Sequence, residues 1–223
     1  YAHNLIDFHP DRPLHPIENL FCRLAHKFYN KSWPEAVMGK KQNFGVFGLL
    51  PNPKPVKELL GKSMTDFIGV NYYTKAYIRF SPFEKNPYGP KELPIDVYFT
   101  RRQEKASDLG WAVHPDGFRR VLKWATKYKL PIFVTENGIA DRTDEMRKEY
   151  LVQHIQVIKD LMKEGVDLRG YYHWSLLDNF EWIKGFGPRF GLIHVNYDDF
   201  TRTPKESANI YREAIAGFNA KTP

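Results

Sequence analysis

A chain of 223 residues, 42% hydrophobic and 15% aromatic, can bury a sizeable core in one or two domains. Its single cysteine, Cys22, rules out an internal disulfide framework and fits a reducing compartment, so the expected location is the cytoplasm. The net charge of +7 is scattered over separate pairs such as Lys40-Lys41, Arg101-Arg102 and Arg119-Arg120, which argues against nucleic acid as a partner.

The chain opens on Tyr1-Ala2-His3-Asn4, without the charged segment and apolar run of a signal peptide. An opening without methionine fits a chain taken from something longer. Residues 2–8 are short and largely apolar and read as a truncated strand. Over residues 16–29, Leu20, Leu24 and Phe28 stand four apart, flanked by Phe21 and Ala25, behind an opening Pro16; this predicts an amphipathic helix. Residues 66–74 (DFIGVNYYT) read as a buried strand, and the proline-rich, charged stretch 81–108 as a long surface loop. Pro115 opens a second helix over 115–128, with Phe118, Val121, Leu122 and Ala125 on one face. It feeds a short apolar strand, PIFVT, at 131–135.

The clearest helix spans 144–163, with Tyr150, Leu151, His154, Ile155, Ile158, Leu161 and Met162 at helical spacing and Gly165 beyond its end. A strand over 169–176 (RGYYHWSL) and a final helix over 205–218 complete the pattern. No run of about 20 apolar residues predicts a membrane span, so no membrane partner is expected. The eight histidines fall at no metal-ligand spacing, so no metal site is expected either. Strands alternating with helices of this length imply an α/β class, with parallel strands and right-handed crossovers. Only about four core strands can be counted, whereas an eight-stranded barrel with its helices takes about 250 residues. The chain is therefore a small open sheet or half of a barrel.

Parallel α/β folds gather their sites at the C-terminal ends of the strands. Three such ends carry chemistry here. At the first, Asn71 and Tyr73 share a face while Tyr72 points the other way. At the second, Glu136 follows an apolar strand and precedes Asn137-Gly138, exposing a carboxylate at the strand's mouth. The third brings His173, Trp174 and Ser175, followed by LDNFEW at 177–182. Singly, each has a plainer explanation: a strand-end Glu is most often a solvated loop residue, and an indole most often packing. Together they offer flat apolar faces and hydrogen-bonding groups, the mixture that suits a sugar ring.

These residues also carry a family resemblance. TENG at 135–138, NYY at 71–73, HWSLLDNFEW at 173–182 and RFGLIHVNYD at 189–198 resemble glycoside hydrolase family 1, the β-glucosidases and their relatives. GWAVHPDGFRRVL at 110–122 and TPKESANIY at 203–211 match in the same order. TENG alone would be weak; the ordered set is strong, from about Asp66 to the end. The resemblance implies the C-terminal half, strands five to eight, of a (β/α)8 TIM barrel, so that residues 1–223 are half of one glycosidase domain. It makes Glu136 the nucleophile and Tyr73 the hydroxyl that donates to it, with Asn71 beside the sugar. It further implies Trp174 under the sugar ring, Glu181 accepting from sugar hydroxyls, Trp182 donating through its indole nitrogen, and Phe190 walling the pocket. The carboxylate of Glu181 would repel a phosphate, favouring an unphosphorylated sugar.

The implied retaining mechanism needs no cofactor but needs a second carboxyl about 5–5.5 Å from the first. The family carries that acid/base in an Asn-Glu-Pro motif, which does not occur in these 223 residues. Two function classes stay open. One is a β-glycosidase, most simply a β-glucosidase, completed by an N-terminal half of the barrel; this segment alone would be inactive and prone to self-association. The other is a non-catalytic carbohydrate-binding or interaction half-barrel.

Overall fold

The computed structural model describes residues 2–41, 57–83 and 94–219. In chain order the elements are β1 (Ala2–Asn4), β2 (Asp7–Pro10), α1 (Pro16–Ala25) and α2 (Ser32–Val37), then β3 (Ile68–Tyr72), β4 (Lys75–Phe80), β5 (Ile95–Tyr98) and α3 (Pro115–Ala125). They continue with β6 (Ile132–Asn137), α4 (Glu145–Lys163), β7 (Leu168–His173), β8 (Ile193–Val195), β9 (Arg202–Pro204) and α5 (Glu206–Asn219).

The main sheet is β1-β3-β6-β7, all parallel and in chain order. A strand order that never reverses sends right-handed crossovers over one face only, the winding of a barrel rather than of a doubly wound sheet. The core lies between the strands and those helices. Ile68, Val70, Tyr72, Ile132, Val134 and Leu168 pack against Phe118, Val121, Leu122 and Ala125 of α3 and Ile158 and Leu161 of α4. The helical spacing over 115–128 and 144–163 therefore identifies buried faces, although Met162 is left 43% exposed. No helix among the described residues is long and apolar enough to cross a membrane.

Three elements differ from the sequence reading. The expected strand over 2–8 is broken into β1 and β2, and the Asn30 side chain takes up the backbone at the break: it accepts from Ile6 N at 3.1 Å and donates to Ile6 O at 2.7 Å. The helix expected over 16–29 stops at Ala25 and widens into a π turn, His26–Lys31, which contains Asn30. Its Leu20, Leu24 and Phe28 stripe is only half buried; Glu18, Cys22 and Asn30 are the buried positions. The stretch 81–108 is not all loop. Residues 84–93 lie outside the described segments, but β5 pairs antiparallel with β4, and β2 pairs parallel with β4, in a second sheet beside the barrel strands. That strand was masked by its short length and its flanking prolines.

A charged lattice ties the last two helices to each other and to the loops that follow β6 and β7. Arg147 is fully buried, with its guanidinium on the Asp144 carboxylate and on the carbonyls of Asp141 and Arg189. Asp144 in turn accepts from Ser207 N at 2.9 Å and Ser207 Oγ at 2.6 Å, joining the start of α4 to the start of α5.

Two buried imidazoles give this core a pH dependence. Burial pushes His154 down to about 3, and burial together with repulsion from Arg147 pushes His173 down to about 3. Unfolding returns both to the ordinary range near 6.5, so between these values the unfolded chain binds more protons than the folded one. The stability gained by keeping them neutral is complete above about pH 6.5 and is lost as pH falls toward 3. Denaturant titrations should show the unfolding free energy declining below pH 6.5 by about 1.4 kcal/mol per pH unit for each histidine. A flat profile from pH 7 to pH 5 would contradict this.

Candidate active site

The strands end together. The last pairs in the sheet are Tyr72 with Asn137 and Asn137 with His173, and the polar groups cluster around this line. Strict alternation along β6 would put Glu136 on the same side as Ile132 and Val134, in the core against the helices. It does not lie there. In the pairing with β3, Val70 faces Val134 but Asn71 faces Glu136, so Thr135 is an inserted residue; the pairing with β7 shifts over the same stretch. This β-bulge reverses the alternation and turns Glu136 to the opposite face, as bulges beside functional sites commonly do.

There the Tyr73 hydroxyl donates to Glu136 Oε2 at 2.6 Å. Burial first, and then this bond to an anion, push the Tyr73 phenol well above its ordinary range, so it remains a proton donor. The Thr135 hydroxyl donates to Asn71 Oδ1 at 2.6 Å, fixing the amide beside the carboxylate. Tyr73 is walled by Trp111 at 5.8 Å and by Phe190 edge-on at 6.1 Å between ring centroids.

Trp174 follows β7. Its backbone N–H donates to Asn137 O at 3.0 Å, and its indole N–H donates to Glu181 Oε1 at 3.1 Å. The chains meet here too closely for a side chain at position 138: a Cβ on Gly138 would fall 1.8 Å from Trp174 O. Burial pushes the Glu181 carboxyl above its ordinary range; the Trp174 bond opposes this and the charge of Glu136 adds to it. The two carboxylates thus share one electrostatic neighbourhood.

Of the seven residues singled out in the sequence, the structure gathers Asn71, Tyr73, Glu136 and Phe190 at one point and joins Trp174 to Glu181 beside it. Trp182 stands apart, 80% exposed. In the same segment of chain Leu176, Phe180, Ile183 and Phe186 are also exposed. Trp111 and Thr135 were not singled out. Trp111 could have been noticed as the aromatic opening the WAVHP stretch, whereas Thr135 acquires its place only through the bulge.

A second polar cluster lies on the helix side. Asp7, His9 and His114 place one ligand atom each within 4.8 Å of one another, a constellation that no sequence spacing announces. The Arg120 guanidinium supplies its central positive charge, with Nη2 at 2.6 Å from Asp7 Oδ2 and 2.7 Å from His114 Nε2. Burial opposes ionisation of Asp7, but the bonds from His114, His9 and Arg120 outweigh it and hold the carboxyl well below its ordinary range. A cavity of about 170 Å³ between α4, β7 and α5 is lined mainly by apolar side chains such as Ile155, Ile158 and Phe218, and it too lies away from Glu136.

Comparison with known proteins identifies the family and the fold. Residues 21–219 match the sequence profile of Glycosyl hydrolase family 1. The β-galactosidase of Sulfolobus acidocaldarius is 36% identical over 214 residues, which are 90% of this chain and 40% of that protein. β-Glucosidase A of Thermotoga maritima is 30% identical over 220 residues, covering 94% of this chain and 46% of its own. Among solved structures, a β-glycosidase from Pyrococcus horikoshii matches with a TM-score of 0.76 at 36% identity, over 94% of this chain and 46% of that one. A family 1 β-glucosidase from Thermotoga maritima matches with a TM-score of 0.77 at 26% identity, over 96% of this chain and 49% of that one. The chain spans about a third to a half of the length of the relatives it matches. Its four parallel strands are the fifth to eighth of a (β/α)8 TIM barrel, and by profile, sequence and structure together the chain belongs to glycosyl hydrolase family 1.

Proposed function

We propose that this chain is the nucleophile-bearing half of a retaining β-glycosidase acting on unphosphorylated β-glucosides. The observation that carries the reading is Glu136 turned out of the core by a bulge and held by the Tyr73 hydroxyl at 2.6 Å, beside the Trp174–Glu181 pair. The names of the relatives, β-glucosidase and β-galactosidase, support the reaction class.

Glu136 attacks the anomeric carbon as the glycosidic C–O bond breaks, giving a glycosyl ester on its carboxylate. The departing oxygen takes a proton from a second carboxyl. That same group then removes a proton from the water that cleaves the ester, so the sugar leaves with its anomeric configuration retained. Tyr73 keeps Glu136 oriented through its hydroxyl. Asn71 and Glu181 bond sugar hydroxyls, Trp174 lies under the ring, Trp182 donates its indole N–H, and Phe190 walls the site. The second carboxyl comes from an N-terminal half of the barrel. The exposure of Leu176, Phe180, Ile183 and Phe186 in the segment that follows Trp174 supports such a complement, since exposed apolar side chains grouped in this way mark surfaces that pack against something. The lack of an Asn-Glu-Pro motif in the 223 residues equally suits a sugar-binding half-barrel without catalysis, which the following test separates.

Residues 1–223 are expected to be catalytically silent alone, because general acid–base assistance is worth about 10²–10⁴-fold. The segment is expressed, its mass and oligomeric state are measured, and hydrolysis of a chromogenic β-glucoside is followed with and without a candidate N-terminal half. Activity appearing on mixing supports the proposal. Full activity from a monomer of the segment would overturn the half-barrel division of labour, and sugar binding with no activity on mixing would favour the non-catalytic reading.

The sugar contacts have their own test. Glu181→Ala is expected to lower kcat/KM by about 10- to 100-fold, the worth of a hydrogen bond to a charged group. Tyr72→Phe should change it little, because Tyr72 is fully buried in the core with its hydroxyl on His114 O at 3.0 Å. Since burial keeps Glu181 protonated to higher pH than an ordinary carboxyl, KM should improve as pH rises through that raised range. Equal losses in the two variants would contradict this assignment of faces.

A further inference from the structure

We propose that the Asn137 carboxamide is a positioning group that sets the aim of Glu136 and of the Tyr73 hydroxyl that bonds it; this rests on the reading of Glu136 as the nucleophile. Asn137 is fully buried. Its Nδ2 donates to Tyr72 O and to Tyr150 Oη, each at 2.7 Å, and its Oδ1 accepts from the Tyr171 hydroxyl at 2.9 Å. Its backbone carbonyl accepts from Trp174 N at 3.0 Å. One residue thus bonds to β3, α4, β7 and the segment after β7.

The place of these bonds in the sheet gives them their function. Tyr72, Asn137 and His173 form the last pairs of the parallel ladder, so the side chains of Tyr73 and Trp174 stand just beyond regular strand pairing. The Tyr72 carbonyl belongs to the same rigid peptide plane as the Tyr73 N–H, so holding that oxygen orients the residue that bonds Glu136. Glu136 itself precedes Asn137 directly and sits in a bulge, where ladder bonds are interrupted. Both amide protons and one acceptor site of Asn137 are used, leaving the group little freedom to turn. The carboxamide therefore takes over from the ladder where the ladder ends, next to Glu136 in the chain and bonded to the carbonyl that precedes Tyr73, while the backbone carbonyl of the same residue holds Trp174. Displacing a reacting group by about 1 Å can cost about 10²-fold in rate.

The test uses the protein in its hydrolytically competent form, with Asn137→Ala, Asn137→Asp and Tyr171→Phe compared by kcat, KM, glucose binding through tryptophan fluorescence, and thermal unfolding. Asn137→Ala is expected to lower kcat of the folded enzyme by about 10²-fold. Asn137→Asp keeps the shape. Protonated, it can still donate one hydrogen bond to Tyr72 O; ionised, it can donate none and faces that carbonyl with a negative charge. Its turnover relative to the parent should therefore fall by about 10-fold or more from pH 5 to pH 8, a signature that loss of stability alone would not produce. Tyr171→Phe should lower kcat less than Asn137→Ala, since it removes one bond of the set. A folded Asn137→Ala with kcat within about twofold of the parent would overturn the inference, as would an Asn137→Asp profile parallel to the parent's. Should Asn137→Ala not fold, the Asp and Phe variants decide by the same criteria. Glu136→Gln is the control that separates the two levels: if it retained turnover, the reading of the site would fall and this inference with it.

Discussion

Glu136→Gln is expected to reduce β-glucoside hydrolysis by about 10⁴-fold or more in the assembled enzyme, the scale on which loss of a nucleophile acts. Glutamine preserves nearly the whole shape of the side chain, and its carbonyl oxygen can still accept from Tyr73, which now donates at 2.6 Å. What it lacks is the negative charge: attack through the neutral amide oxygen would give a cationic imidate instead of the neutral glycosyl ester that a carboxylate forms. The Trp174–Glu181 pair is untouched, so glucose should still quench tryptophan fluorescence with an affinity close to that of the parent. Steady-state rates and binding, measured on the same preparation, separate the two effects. Wild-type turnover in the variant would show that Glu136 is not the nucleophile; loss of both turnover and binding would point to a role in holding the sugar.

The largest effect on stability is expected at Asp178. Its side chain has no exposed surface. It accepts from Gly191 N at 2.9 Å, from Lys205 Nζ at 3.1 Å and from Arg189 Nη1 at 3.3 Å, and His194 Nδ1 lies 3.2 Å away. Asp178→Ala leaves the nearly buried Lys205 facing the site of a charge that has gone, and breaking one side of a buried ion pair costs about 3–5 kcal/mol. Asp178→Asn retains the acceptor for Gly191 N and should cost less. Because the anchored stretch carries Trp174, Glu181 and Phe190, the surviving enzyme should also show a raised KM. Denaturant unfolding at neutral pH measures the first effect and substrate titration the second. A loss under about 1 kcal/mol for the alanine variant would mean that the cluster is solvated in solution, as exposed ion pairs are.

The sequence by itself determined a good deal. The four apart spacing of apolar residues along α4 and the PDGF start of α3 each follow from contacts inside a single turn, and both helices bury the faces that their spacing marks, apart from Met162 at the end of α4. The opposite orientation of Tyr72 and Tyr73 follows from the two-residue repeat of an unbroken strand, and the core indeed receives Tyr72 while Tyr73 meets Glu136. The residue types at the strand ends, read with their order along the chain, sufficed to identify the family.

Other features were decided only in three dimensions. The sequence ends this strand at Thr135 with Glu136 exposed at its mouth; the structure carries β6 on to Asn137, where strict alternation would turn Glu136 to the core, and the bulge at Thr135, a property of two neighbouring ladders rather than of the residues around it, turns it out again. The pairing of β4 with β5, the break between β1 and β2, and the π turn that brings Asn30 to Ile6 likewise depend on partners distant in the chain. Asn137 and Asp178 look like loop polar residues in TENG and LLDNFEW, yet each becomes fixed by groups contributed from several elements. A local pattern records the contacts a residue makes within a turn or a strand. A buried polar group must instead find partners wherever the folded chain supplies them, because leaving it unpaired costs more than any local preference can repay.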